Sequence, residues 1–167
     1  MIANEKDLLD NLIIDWKEER PDLDASAMLI VGRILKLGKI LEKSASIALQ
    51  DNNINYTDLD VLATLRRSGK PFELTPKQLM KDVLITSGAM TALLDRLEKL
   101  DLIYRSPDAN DGRIKNASLT KKGIKLIDKA IEIRFNEADE SISMLNKIEK
   151  ENLSVLLKKM TLYFDSK

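Results

Sequence analysis

The spacing of apolar residues along the chain predicts a mostly helical fold. Apolar side chains recur every three or four positions, the period of an amphipathic helix, in the segments 7–19, 24–50, 58–67, 75–83, 86–101 and 120–165. Turn signals end two of the segments, at Arg20-Pro21 and at Ser68-Gly69-Lys70-Pro71. We expect Thr57 and Thr75 to cap helices, and we expect a break in the last helical segment at 145–150.

The middle of the chain departs from this regular helical spacing, and its pattern predicts a helix-turn-helix followed by a hairpin. The short helix 75–83 and the longer helix 86–101 are separated by a connection of about four residues. Two β-prone runs, 102–105 and 114–119, then flank a polar stretch that contains Asp111-Gly112, a pair favoured in tight turns. We expect Pro107 to prevent regular pairing at the base of the hairpin, so that its tip projects as a wing. The pattern therefore predicts an α+β fold, mostly α, with a winged helix-turn-helix at 57–120.

Composition narrows the chemistry that this fold could carry. The chain has 167 residues, 44% of them hydrophobic, and we expect a single domain over 1–167. It contains no cysteine and no histidine, which excludes disulfides, zinc fingers and Cys or His nucleophiles, and it has no phosphate-binding glycine loop. We predict no enzymatic activity, no metal site and no cofactor. No apolar run is long enough for a signal peptide or membrane span, so we expect a cytoplasmic protein without membrane contact.

Charge is neutral overall but unevenly distributed. The whole chain has 27 basic and 27 acidic residues, whereas residues 66–122 have 12 basic and 7 acidic ones. The flanking segments therefore carry the compensating negative charge. A basic middle segment suits a protein that presents one face to nucleic-acid phosphates, although an ordinary surface can show the same imbalance.

The predicted DNA-contacting residues lie on the two short helices and the wing. Hydroxyls and free N–H groups at a helix N-terminus can bond phosphates, and an extended loop can place an arginine in the minor groove. Asp111 could orient Arg113 through a charge-assisted pair. The alternatives are plain helix caps at 86–87, a solvated hairpin, and an Arg96 that pairs with neighbouring charges. The complete set is Thr75, Lys77, Thr86, Ser87, Gly88, Thr91, Arg96, Asp111, Arg113 and Lys115.

Three motifs in this region resemble the core of the MarR family of winged helix regulators. They are the helix end Leu94-Asp95-Arg96-Leu97-Glu98, the wing Pro107-Asp108-x-x-Asp111-x-Arg113 and the closing Leu119-Thr120-x-x-Gly123. The resemblance implies a sequence-specific transcription regulator that binds double-stranded DNA at a pseudo-palindromic operator. It favours a repressor over an activator. Gly112 departs from the pattern, because many relatives carry arginine there.

The terminal segments predict a homodimer. Residues 5–53 and 121–165 hold more apolar side chains than a monomer of this size readily buries beside a winged core. We expect these helices to form the dimer interface, as the resemblance also implies. The alternative is that they fold back on their own domain.

A small-molecule effector is predicted only by the resemblance. Trp16, Asp60 and Arg105 resemble the ligand pattern of the urate-responsive branch, which implies a small anionic or aromatic ligand. That branch has a further arginine on the recognition helix, where this chain has Leu93, and the loss weakens a site for a planar anion. The alternatives are a core role for Trp16 and ordinary surface or salt-bridge roles for Asp60 and Arg105. For the whole protein, the rival function is a winged helix that binds other proteins without specific DNA contact.

Overall fold

The fold is helical with one small antiparallel sheet, which confirms the predicted fold class. The computed structural model describes residues 5–83, 86–108 and 111–167. Parts of the predicted helix connection (84–85) and of the hairpin tip (109–110) lie outside the described residues. The strands are β1 Glu73–Leu74, β2 Ile103–Pro107 and β3 Lys115–Leu119. The helices are α1 Leu8–Glu19, α2 Ser26–Leu49, α3 Tyr56–Arg67, α4 Pro76–Asp82, α5 Ser87–Lys99, α6 Lys121–Ser141 and α7 Lys147–Asp165.

Two compact units are distinguished, residues up to 44 and residues 45–167. In the first unit, Asp7 caps α1 and forms a reciprocal capping box with Asp10. The guanidinium of Arg33 on α2 pairs with both carboxylates, at 2.9 Å to Asp7 and 2.8 Å to Asp10. The hydrogen bond from Arg33 lowers the pKa of Asp7. The α1 end at Glu19 agrees with the stop predicted from Arg20-Pro21.

The core of the second unit lies between α3, α4, α5, α6 and the sheet. Its fully buried side chains are mostly leucines on the inner faces of these helices, joined by Ile103 and Leu119 from the strands. Asn55 caps α3 through a capping box with Asp58, so the predicted cap at Thr57 is wrong by two residues. Thr120 caps α6, and a Cβ on Gly123 would lie 2.0 Å from the carbonyl oxygen of Leu102. Only glycine allows α6 to start this close to β2.

The sheet order is β1-β3-β2, with both pairings antiparallel. The strand β1 has only two residues, too few to carry an alternation signal, and the sequence prediction missed it. The expectation for Pro107 is also wrong, because Pro107 pairs in register with Lys115. The strand β2 lies at the edge of the sheet, where a proline that lacks an N–H is tolerated.

The last two helices are separated at 142–146, slightly earlier than predicted, and Asn146 caps α7. No side chain of α7 is buried. Most of its large apolar residues are at least two-fifths exposed, namely Ile148, Leu153, Val155, Leu156, Leu157, Leu162 and Phe164. An amphipathic helix with this much uncovered apolar surface has the composition of an interface. Among the described residues, no helix is long and apolar enough to cross a membrane.

Candidate nucleic-acid interface

The helices α4 and α5 begin at threonine caps, as the sequence predicts. The hydroxyl of Thr75 accepts a hydrogen bond from the N–H of Gln78, and the Gln78 side chain accepts one from the N–H of Thr75. Lys77 is exposed in the first turn of α4. Thr86 caps α5 by accepting a bond from the N–H of Ala89 at 3.4 Å. Both helix N-termini are therefore defined by local side-chain bonds.

The two faces of α5 differ sharply in burial. Met90, Leu93, Leu94 and Leu97 are buried in the core and fix the inner face. The opposite face starts with exposed, small side chains, namely Ser87, Gly88, Ala89, Thr91 and Ala92. The Thr91 hydroxyl donates to the carbonyl of Ser87 at 3.3 Å, and nothing lies within 4 Å of where a Cβ on Gly88 would be. The first turns of α5 therefore leave the backbone open to close approach by a ligand such as DNA.

The wing presents one strongly exposed cation. The Arg113 side chain is 95% exposed, and its Nε lies 3.6 Å from the Asp111 carboxylate. The same carboxylate accepts the backbone N–H of Arg113 at 3.1 Å. Lys115, at the start of β3, is also exposed. The predicted pairing of Asp111 with Arg113 is thus present, and the guanidinium projects into solvent.

Arg96 has a different environment from the other predicted DNA contacts. Its guanidinium lies 2.9 Å from the carboxylate of Asp58 on α3, which is fully buried, and it donates to the carbonyl of Asn53 at 3.4 Å. A buried carboxylate needs a cationic partner to offset its desolvation. This pairing favours a role for Arg96 in attaching α5 to α3, as the alternative interpretation of the sequence proposed, and its contact with DNA stays a prediction.

Arg105 also holds elements of the fold together. Its guanidinium donates to Glu98 at 2.6 and 2.9 Å and to Asp95 at 2.5 Å, so it joins β2 to the outer side of α5. The hydrogen bond from Arg105 lowers the pKa of Glu98, and the bond to Glu98 raises the pKa of Arg105. These bonds use the Nε and one terminal nitrogen of Arg105, and its predicted role in an effector site stays a prediction.

The remaining predicted ligand residues, Trp16 and Asp60, lie in different compact units. Trp16 is about half exposed on α1. Asp60, on α3, is partly buried, and this desolvation raises its pKa although Arg67 and Arg134 act in the opposite direction. An acidic group with two cations nearby is equally suited to a structural role, so the ligand pattern stays a prediction.

Comparison with known proteins decides the family. Residues 52–114 match the model of the MarR family. The HTH-type transcriptional regulator PecS of Dickeya dadantii is 31% identical over 147 residues, which cover 88% of this chain and 89% of PecS. This chain belongs to the MarR family.

Two solved MarR-type structures share its fold. A mutant MarR from E. coli complexed with operator DNA has a TM-score of 0.71 at 24% identity, over 93% of this chain and 99% of that one. BpsR of Bordetella bronchiseptica, whose DNA binding is regulated by 6-hydroxynicotinic acid, has a TM-score of 0.70 at 22% identity, over 78% and 92%. At these identities the likeness concerns the fold alone. Family membership confirms the predicted DNA-binding transcription regulator and the homodimer, because the family is dimeric.

One group of polar residues in this MarR-family wing was missed at the sequence level. Asn116 and Ser118 on β3 are buried, and both donate to the carboxylate of Glu73 on β1. Asn116 also donates to Asp108 at the end of β2. The available signal was the presence of two polar residues at alternate positions of a predicted strand, which places them on one face. Their acceptor Glu73 could not be predicted, because the two-residue strand β1 has no recognisable sequence pattern.

Proposed function

We propose that this regulator binds a pseudo-palindromic operator with the first turns of α5 in the major groove and the wing beside the minor groove of each half-site. The observation that carries the proposal is the exposed, small-residue face of α5 together with Arg113 on the neighbouring wing. A recognition helix without bulk at its start can approach the groove floor, and an exposed arginine suits a narrow, electronegative minor groove. The operator complex of the E. coli MarR mutant, which shares the fold, supports this arrangement.

The other predicted contacts fit roles at the DNA backbone. Thr75, Lys77, Thr86 and Ser87 surround the N-termini of α4 and α5, where hydroxyls, N–H groups and a cation can bind phosphates. Such contacts set the register on DNA without reading bases. Thr91 and Gly88 face the groove floor in this proposal, and Lys115 adds charge beside Arg113. The excess of five positive charges over residues 66–122 is consistent with this face.

Dimerisation through residues 5–53 and 121–165 is part of the proposal. The uncovered apolar side chains of α7 supply a surface that a second copy can bury. A two-fold axis between the copies places the two α5 helices roughly 34 Å apart, one turn of B-DNA, and therefore requires a palindromic site. A cytoplasmic location is part of the same proposal, since chromosomal DNA is the expected partner.

A mobility-shift experiment with genomic fragments over a salt series tests DNA binding. We expect a retained fragment with a palindrome, and an affinity that falls steeply as salt rises, because bound lysines and arginines release counterions. Arg113→Ala is expected to weaken binding and to make the salt dependence shallower by about one charge. Absence of any retained fragment at low salt would overturn the proposal and favour the protein-interaction alternative.

We propose in addition a small aromatic or anionic effector that releases the operator. The support is the regulation of BpsR by 6-hydroxynicotinic acid, together with the resemblance that involves Trp16, Asp60 and Arg105. Trp16 is the only tryptophan of the chain, so its fluorescence reports on α1 alone. Titration with 6-hydroxynicotinic acid and related aromatic acids should quench this fluorescence and release the DNA at the same concentrations. Release without a fluorescence change would exclude Trp16 from the ligand site.

A further inference from the structure

We infer that Asn116 is a positioning residue for DNA binding, which holds the wing tip so that Arg113 projects towards DNA. The inference rests on the proposed contact of Arg113 with DNA. It concerns a buried side chain that does not itself reach the solvent, since Asn116 is only 7% exposed. Its effect on DNA must therefore pass through the residues that it holds.

The amide of Asn116 joins two carboxylates on either side of β3. Its Nδ2 donates to Glu73 Oε1 on β1 at 3.0 Å and to Asp108 Oδ2 at the end of β2 at 2.9 Å. Glu73 is fixed from its second oxygen by the hydroxyl of Ser118 at 2.5 Å. Glu73 thus provides a fixed point in the sheet, and Asn116 attaches Asp108 to it.

The chemistry of this position requires an amide. Two carboxylates that approach one polar atom repel each other unless a donor with two hydrogens lies between them, and the amide NH₂ group has two. Both acceptors also fix the orientation of the amide. Among the described residues, Oδ1 of Asn116 has no hydrogen-bond partner, which is unfavourable for a buried acceptor. The orientation of the amide is therefore set by the two bonds that Nδ2 donates, and not by a bond to Oδ1.

From Asp108 the chain of hydrogen bonds continues to the wing tip. Asp108 Oδ1 accepts the N–H of Asp111 at 3.1 Å, and Asp111 Oδ1 accepts the N–H of Arg113 at 3.1 Å. A further backbone bond joins the N–H of Asp108 to the carbonyl of Ile114 at 2.8 Å. Each link fixes the next, so the direction of Arg113 depends on Asn116 although the two described side chains do not bond to each other directly.

The consequence is a specific pattern of coupling between two variants. Asn116→Asp is nearly isosteric, but it replaces the donor with a third carboxylate and breaks the bond from position 116 to the carboxylate of Asp108. We expect it to remove the contribution of Arg113 to DNA binding and to leave the contacts of α4 and α5 in place. Once Arg113 is absent, the position of the wing tip no longer matters for affinity.

The experiment measures operator affinity over a salt series for the full-length dimer, using the genomic fragment retained most tightly by the wild type. The variants are N116D, R113A and the double variant, with Asn55→Asp as the control for the added charge. Asn55 is exposed and lies outside the proposed dimer and DNA contacts, and an aspartate caps α3 equally well. We expect N116D to weaken binding about as much as R113A, with the same loss of about one charge in the salt slope. The double variant should bind no more weakly than R113A, and N55D should bind like the wild type.

Other outcomes separate the two levels of the proposal. If R113A binds like the wild type, the proposed wing contact is wrong. If R113A is weaker but N116D is unaffected, or if the two losses add in full, Asn116 does not act through Arg113, while DNA binding stands. Thermal unfolding is followed in parallel, and N116A, which removes the amide without adding a charge, replaces N116D if that variant does not fold.

Discussion

The helix α5 and the wing tip, residues 108 and 111–114, are held in place by opposite kinds of interaction. The inner face of α5 is fixed by four buried apolar side chains, whereas the described contacts of the wing tip are hydrogen bonds and ion pairs. Their outward surfaces also differ. The start of α5 presents small, uncharged side chains, and the wing tip presents the exposed guanidinium of Arg113. For the proposed DNA interface, this comparison predicts that α5 contributes shape and that the wing contributes charge.

The difference in attachment predicts a difference in rigidity. Burial of a leucine side chain stabilises a fold by about 1.5–3 kcal/mol, whereas a single hydrogen bond contributes about 1 kcal/mol net. Water competes with the bonds of an exposed tip but not with the packing of a core. We therefore expect the tip to rearrange at a lower free energy than α5, and variants of the two regions should have separable effects on stability and DNA affinity.

The largest effect is expected on the inner face of α5. Leu97 is fully buried, and Leu97→Ala removes its contacts and leaves a cavity that the packed helices cannot fill. We expect the free energy of unfolding to fall by about 3 kcal/mol. Urea denaturation at a fixed protomer concentration measures the change, because a dimer's stability depends on its concentration.

The matched control on the same helix is Thr91→Ala, on the outward face. It should change the free energy of unfolding by less than about 0.5 kcal/mol and act on DNA affinity instead. A cost below about 1 kcal/mol for Leu97→Ala would contradict the view that the core fixes α5.

A smaller loss of stability is expected from Arg96→Met, which tests the attachment of α5 to α3. The change leaves the fully buried Asp58 without its cationic partner. Because the Arg96 side chain is itself 44% exposed, we expect a loss of about 2 kcal/mol, below the range for a fully buried pair.

Lys99→Met provides the control for Arg96→Met, since it removes the same charge from an exposed position on α5. The two variants should show the same salt dependence of operator binding, while only Arg96→Met is destabilised. If the salt dependence of operator affinity falls by about one charge in Arg96→Met alone, Arg96 contacts DNA phosphates.

Arg96 and Arg105 illustrate what the sequence can and cannot predict. The stripe of α5, its cap at Thr86 and the hairpin were predictable because each depends on neighbours within a few positions. The partner of Arg96 was not, because Asp58 lies on another helix and the periodicity of α3 does not distinguish a buried aspartate from an exposed one. The same holds for Arg105, whose carboxylate partners are on α5. Long-range pairing therefore sets the environment of both arginines, which periodicity alone does not predict.

The hydrogen bonds that join β3 to Glu73 in the wing were unpredictable for the same reason. Asn116 and Ser118 were visible as polar positions in a strand, but their acceptor Glu73 lies on a two-residue strand without a pattern of its own. For the terminal helices, the apolar excess was predictable from composition, and the exposed side chains of α7 agree with it. The single-domain organisation and the assignment of 5–53 and 121–165 to the dimer interface stay predictions.

The smallest expected effect is a gain of affinity from Gly112→Arg at the wing tip. Gly112 is not in the left-handed region, and nothing lies within 4 Å of where its Cβ would be, so an arginine is accommodated without strain. A second cation beside Arg113 should strengthen operator binding up to about tenfold at low salt and steepen the salt dependence by about one charge. Gly112→Ala adds the Cβ without the charge and should bind like the wild type. If Gly112→Arg leaves the salt slope unchanged, the tip does not lie beside phosphates, and the division between a shape-reading α5 and a charge-bearing wing would have to be abandoned.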